Sequence, residues 1–290
     1  MTWVILILFS ALTRGIGDIF YKKLSFDFTP QTILLFSSFL NLLFLAPTFG
    51  GVGLLETKLF LFVFLKAVTM TTAWLLFLYS LKKLPISIAT PLQMLSTLFA
   101  IIFGFLFLKE SLTILQSIGI FILLSGLLAL QMLSKKEKED IKKINNILSK
   151  AFFLGILASF FSALSLTLDR YLLRDLIDPV NLQFWFYIFI LTNTFVVFLF
   201  LKTPVKKTFQ NLKSKWWIFF ILSLLLVVSD KTYMTAATYP LALLGLLIPM
   251  KRLSIIFSVF IGGKAFKEKN LGSKIFATIV MLAGLFLMVW

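Results

Sequence analysis

Apolar runs longer than 18 residues succeed one another from one end of this chain to the other. A run of that length crosses the roughly 30 Å hydrocarbon core of a bilayer as an α-helix. Only helices and closed barrels can satisfy their own backbone in that medium. Barrel strands would read as alternating segments of roughly ten residues, and no such pattern is present. The expected fold is therefore an all-α integral membrane protein. Its ten transmembrane helices fall at about 2–24, 31–50, 59–81, 86–108, 112–133, 151–173, 180–201, 216–238, 241–263 and 271–289. Composition agrees: 60% of the residues are hydrophobic, 14% are charged and the mean hydropathy is +1.01, too apolar for a soluble shell. The Met1–Leu12 run continues into the first span without a basic leader, so it is expected to be retained rather than cleaved.

A charged stretch at 135–150, with KKEKEDIKK at its heart, divides the chain into 1–134 and 151–290. The two parts resemble each other. Sliding 86–132 onto 244–290, an offset of 158, aligns Pro91 with Pro249, Ser96 with Ser254 and Gly104 with Gly262. The same register aligns Lys109-Glu110 with Lys267-Glu268 and Gly126-Leu127 with Gly284-Leu285. Leu and Phe match by chance between apolar helices; Pro, Gly and a Lys-Glu step in one register do not. At an offset of 151, Asp18, Lys23 and Asp27 face Asp169, Arg174 and Asp178. An internal repeat of five spans has an odd number of crossings, so the second copy would enter the membrane in the opposite sense. Inverted repeats of this kind characterise secondary transporters, which hold substrate near the midplane between the halves.

The net charge of +16 sits mainly in the loops. Of the loop lysines and arginines, 18 fall on one face and 3 on the other. The positive-inside rule puts the richer face in the cytoplasm and both termini outside, in a cell (inner or plasma) membrane. Anionic lipid headgroups are the expected contact of that face, and no soluble domain is present to bind nucleic acid. With no Cys and no His, disulfides, thiolate catalysis and most zinc sites are excluded. Neither a cofactor nor a metal is expected.

The stretch FLYSLKKLPISIATPLQMLSTLFAIIFGFLFLKESLTILQSIGIFILLSGLLAL resembles the EamA repeat of the drug/metabolite transporter superfamily. LLGLLIPMKRLSIIFSVFIGGKAFKEKNLGSKIFATIVMLAGLFL is similar to a second copy, so the resemblance spans both halves. It implies two inverted five-helix repeats around a cavity lined by the first, third and fourth helices of each. The fifth and tenth helices would pack at the periphery, with a homodimer as one possible assembly. Members of the family move amino acids, sugars, nucleotide sugars, sugar phosphates and amphiphilic drugs. The adjacent basic pair in PMKRLSIIFSV is also similar to the phosphate-binding pair of sugar-phosphate translocators.

Ionisable groups within a span cost several kcal/mol and mark functional positions. Arg14, Asp18 and Lys22 share one face of the first span; Lys66 lies in the third; Ser162, Ser165 and Asp169 line the sixth, beside Arg170. Asp230, Lys231 and Tyr233 sit in the eighth, and Lys251 and Arg252 in the ninth. These are the helices that the resemblance places around the cavity. Six basic and three acidic candidates leave an excess of about three cations, which favours a substrate bearing a carboxylate or phosphate. Lys251, Arg252, Lys66, Lys231, Tyr233 and Arg14 are the expected substrate contacts; Asp18, Asp169 and Asp230 are the expected coupling or ion-pairing groups. Lys251 and Arg252 are adjacent, so roughly 100° of helix separates them and at most one should aim at the cavity centre. Lys22 and Lys23 are expected to snorkel to the interface, and Glu110 and Glu268 to serve helix termini there. The leading expectation is an exporter or exchanger of a small anionic or zwitterionic metabolite. Its rivals are a translocator of an anionic lipid headgroup, a membrane enzyme and a non-transporting assembly subunit.

Overall fold

A computed structural model describes residues 2–108, 113–136, 142–173, 176–201, 205–237, 239 and 250–289. The described residues are helical apart from short turns. The chain runs through α1 (Thr2–Ser25), α2 (Pro30–Leu45), α3 (Thr57–Lys83), α4 (Ile86–Ala89), α5 (Leu95–Leu108) and α6 (Ile114–Lys136). It continues through α7 (Lys142–Leu173), α8 (Pro179–Phe200), α9 (Val205–Ala237), α10 (Ser254–Phe257), α11 (Gly263–Ala265) and α12 (Leu271–Val289).

Local chemistry sets the boundaries. Pro30 and Pro179 occupy first-turn positions, where a missing N–H costs nothing. Asp178 caps α8, accepting from the N–H of Val180 at 3.0 Å and of Asn181 at 3.1 Å. The expected fourth span is broken: Pro91 opens a 3₁₀ turn, Pro91–Met94, between α4 and α5. The ninth is broken as well. The N–H of Leu253 bonds the carbonyl of Met250 at 3.1 Å, a tight turn, whereas Ser258–Gly262 winds as a π-helix between α10 and α11.

Among the described residues, five helices are long and apolar enough to cross a membrane, and four shorter apolar helices accompany them: Pro30–Leu45, Ile86–Phe99, Ser117–Leu130 and Leu271–Leu287. Two helices begin well before their expected starts. α7 begins at Lys142 inside the expected linker, and α9 at Val205, eleven residues ahead of 216. Hydropathy registers only the apolar part of a helix, and both extensions are polar and lysine-bearing. Lys109, Glu110, Arg174, Pro240 and Pro249 lie outside the described residues.

Packing joins the first half of the chain to the second. α1 lies on α9, α3 on α7, α2 on α8 and α9, α3 on α8, and α6 on α12. The broken segments do likewise, α5 and its 3₁₀ turn on α7, and α10 with its π turn on α1. Two serines sew α1 to α9: Ser10 Oγ donates to the Ser229 carbonyl at 2.7 Å and Ser229 Oγ to the Ser10 carbonyl at 2.9 Å. A polar pair of this kind also supplies much of the attraction that the hydrophobic effect cannot provide in lipid.

Gly284 sets the closest approach of α6 and α12. A Cβ there would lie 2.7 Å from the Gly119 carbonyl oxygen and 2.7 Å from the Leu123 nitrogen, both backbone atoms that cannot step aside. Gly284→Val should therefore destabilise the solubilised protein by about 1–3 kcal/mol, seen as a lower midpoint of thermal unfolding. Gly272→Ala, where the added Cβ meets nothing within 4 Å, should leave that midpoint unchanged.

Candidate functional site

The charged residues of the broken ninth segment, α1, α3, α7 and α9 converge on a cavity of about 100 Å³. Arg14, Lys66, Asp169, Asp230, Lys251 and Arg252 line it, with Tyr233, Ser162 and Ser254. Gln93, from the 3₁₀ turn of the fourth segment, completes the polar part. The remaining wall is apolar and largely aromatic, including Trp74, Phe77, Phe186 and Met70.

Most of these charges are paired across helices. Lys66 Nζ in α3 lies 3.2 Å from Asp169 Oδ1 in α7 and 3.2 Å from the centroid of the Phe186 ring. The ammonium thus has a carboxylate on one side and a π face on the other, both favourable in a desolvated setting. Arg14 Nε lies 3.5 Å from Asp18 Oδ1 one turn along α1, and Asp18 Oδ2 accepts from Ser258 Oγ of the π turn at 3.0 Å. Lys251 Nζ lies 3.8 Å from Asp230 Oδ1 and 3.7 Å above the Tyr233 ring, and Asp230 Oδ2 accepts from the Tyr187 hydroxyl at 2.6 Å.

Arg252 is different. It donates to Ser96 Oγ at the start of α5, and among the described residues no carboxylate stands within ion-pairing distance of it. Both Lys251 and Arg252 line the cavity.

The expected charge excess is also smaller. Lys231 is exposed and stands away from the cavity, because it is one residue beyond the inward-facing Asp230. The Arg170 side chain lies outside those described. Four cations (Arg14, Lys66, Lys251 and Arg252) then face three carboxylates (Asp18, Asp169 and Asp230), an excess of one among the described residues.

Residues beyond the sequence reading complete the site. Tyr187 and Ser96 orient Asp230 and Arg252. Their types are too common in apolar helices to stand out, and only the contact reveals them. Lys22 does not snorkel. It is buried, and its Nζ donates to the carbonyls of Leu81 at 2.5 Å and Leu84 at 2.7 Å. Lys23 does reach outward, its Nζ 5.0 Å from the Trp217 ring centroid.

Residues 1–132 match the EamA-like transporter family. That stretch is an EamA domain of the drug/metabolite transporter superfamily. No curated protein matches the chain. A solved crystal structure is similar over 96% of this chain and 96% of its own, with a TM-score of 0.61 and 11% identity; at that identity the likeness concerns the fold alone. Together the EamA match over residues 1–132 and the long apolar helices point to a multi-pass membrane protein.

The Lys66–Asp169 pair joins α3 to α7 at the cavity, and its removal should be costly. Asp169→Asn leaves a buried ammonium without its carboxylate, which should destabilise the protein by about 3–5 kcal/mol. The double variant Asp169→Asn, Lys66→Met should recover most of the loss. Thermal unfolding of the four proteins in a double-mutant cycle measures the coupling; simple additivity would show that the pair contributes nothing jointly.

Proposed function

We propose that this chain is a secondary transporter that moves a small anionic or zwitterionic metabolite by alternating access, acting as an exporter or exchanger. In this reading residues 1–134 and 151–290 are two inverted five-helix repeats joined by 135–150, giving ten spans with the lysine-rich loops in the cytoplasm. The exchange of partners between the halves supports it: α1 on α9 is matched by α3 on α7, and the broken fourth segment on α7 by the broken ninth on α1. Helices broken near a central cavity are a recurrent device for presenting polar groups to a transported solute.

The observation that carries the anionic character is Arg252, a guanidinium in the cavity wall with a serine hydroxyl and no carboxylate as its partner. A planar fork of N–H donors in a water-poor site binds a carboxylate or phosphate strongly. An excess of one cation favours a solute with one net negative charge. The aromatic wall around Trp74 and Phe186 would take its apolar part. A zwitterion would set its ammonium toward Asp230 or Asp169.

A panel of carboxylates, amino acids and phosphate esters, screened by thermal shift of the purified protein, should contain stabilising ligands, since binding to the folded state raises stability by mass action. Arg252→Gln should weaken the best ligand about 10–100-fold, the range for losing a charge-assisted hydrogen bond. Uptake of that ligand into proteoliposomes should fall in parallel. Full retention of affinity in Arg252→Gln would remove the residue from the site.

A further inference from the structure

Two buried charges stand outside the cavity and close on one short piece of backbone. α3 ends at Lys83, and the chain turns through Leu84 and Pro85 into the first turn of the broken fourth segment at Ile86. Lys22, from α1, donates to the carbonyls of Leu81 and Leu84 on the side where α3 ends. Glu268, from the loop before α12, accepts from the N–H of Ile86 at 2.6 Å and from the Ser87 hydroxyl on the side where the new helix begins. Each charge thus meets the helix end of opposite polarity: a cation at unsatisfied carbonyls, an anion at unsatisfied N–H groups.

The carboxylate is held in place from behind. Glu268 Oε2 lies 3.6 Å from Lys274 Nζ, whose side chain is 0% exposed. The loop that carries it has Lys267 and Asn270 at φ 52° and 50°, a left-handed conformation uncommon for lysine and readily adopted by asparagine. Ile86 is fully buried and packs against Gly262 of the π turn, where an added Cβ would come within 2.9 Å of its side chain. Lys22 is two turns beyond the cavity residue Arg14, about 12 Å along α1, toward the end that carries Lys82 and Lys83.

We infer that Glu268 and Lys22 form a clamp on the Leu84–Ser87 turn that seals the lysine-rich end of the cavity, and that opening this end requires Glu268 to release Ile86 and Ser87. The inference rests on the alternating-access reading of the same cavity. Glu268 comes from the second half of the chain and the turn from the first, so the contact must break if the halves separate at this end. Lys22 and the turn both belong to the first half and travel together. The clamp is thus a fixed socket with one detachable member.

The chain has no cysteine, so a single reporter thiol can be placed in the cavity wall with Ser162→Cys. Labelling by a charged, membrane-impermeant maleimide is followed from each side of the membrane in sealed vesicles of both orientations. In the otherwise unaltered chain, labelling from the lysine-rich side should be slow. Glu268→Gln keeps the shape and loses the charge, and should accelerate labelling from that side about tenfold while slowing it from the other. Ser87→Ala removes one bond of the clamp and should act in the same direction by a smaller factor, providing a milder variant should the first fail to fold. Unchanged labelling from the lysine-rich side in a folded variant, or equal acceleration from both sides, would overturn the clamp. The readout uses no solute. A sided shift in a chain that binds no member of the ligand panel would therefore uphold the clamp and overturn the anion-transport reading alone.

Discussion

A charge inside a hydrocarbon layer has no water to solvate it, and the arrangement of this protein follows from how each such charge is answered. Lys66 reaches across from α3 to Asp169 on α7, Lys251 reaches Asp230 on α9, and Asp18 is held between Arg14 and Ser258. An unanswered charge of this type would cost several kcal/mol, a large share of any protein's stability. Helix positions that would otherwise be interchangeable among apolar surfaces are therefore tied to one another. The apolar contacts fill space, while the ion pairs select which faces meet. The one cation answered only by a hydroxyl, among the described residues, is Arg252. It lies where the two broken segments approach each other.

The helices were legible in the sequence because lipid imposes a length and a polarity on them. The same physics hides what is polar but not spanning. The extensions of α7 to Lys142 and α9 to Val205 fall outside any apolar window. The match of Pro91 with Pro249 supports a repeat but does not foretell the breaks found in the fourth and ninth segments, and Pro249 itself lies outside the described residues. Among candidate site residues, the reading of membrane-embedded charge together with the family resemblance singled out Arg14, Lys66, Asp169, Asp230, Tyr233, Lys251 and Arg252, all but one of them ionic at physiological pH and all on the cavity wall or its edge. It failed for Lys231, because an adjacent pair on a regular helix cannot be assigned a face without knowing the helix's rotation. It failed differently for Lys22. A lysine near a span end reads as interfacial, and whether its stem can reach a carbonyl depends on a neighbouring chain segment that hydropathy does not describe.

The contacts that join the halves are of two physical kinds. α6 and α12 meet backbone to backbone at Gly284, with no side chain between them to rotate. Such contacts depend on close packing and are lost abruptly when the distance grows. Around the cavity the joints are hydrogen bonds made by side chains: Ser159 Oγ to the Leu92 carbonyl at 2.7 Å, Ser258 Oγ to the Gly15 carbonyl at 3.2 Å, and Arg252 to Ser96 Oγ. A polar group at a cavity wall can trade one partner for water or solute at small net cost, since a typical exchange is worth only about 0.5–1.5 kcal/mol. Exchange of partners between the two parts of the chain would therefore be cheapest at these hydrogen bonds and costlier at the Lys66–Asp169 pair and the α6–α12 seam. A fold that places its detachable contacts around a charged chamber and its rigid seam away from it has its flexibility where a passing solute would need it.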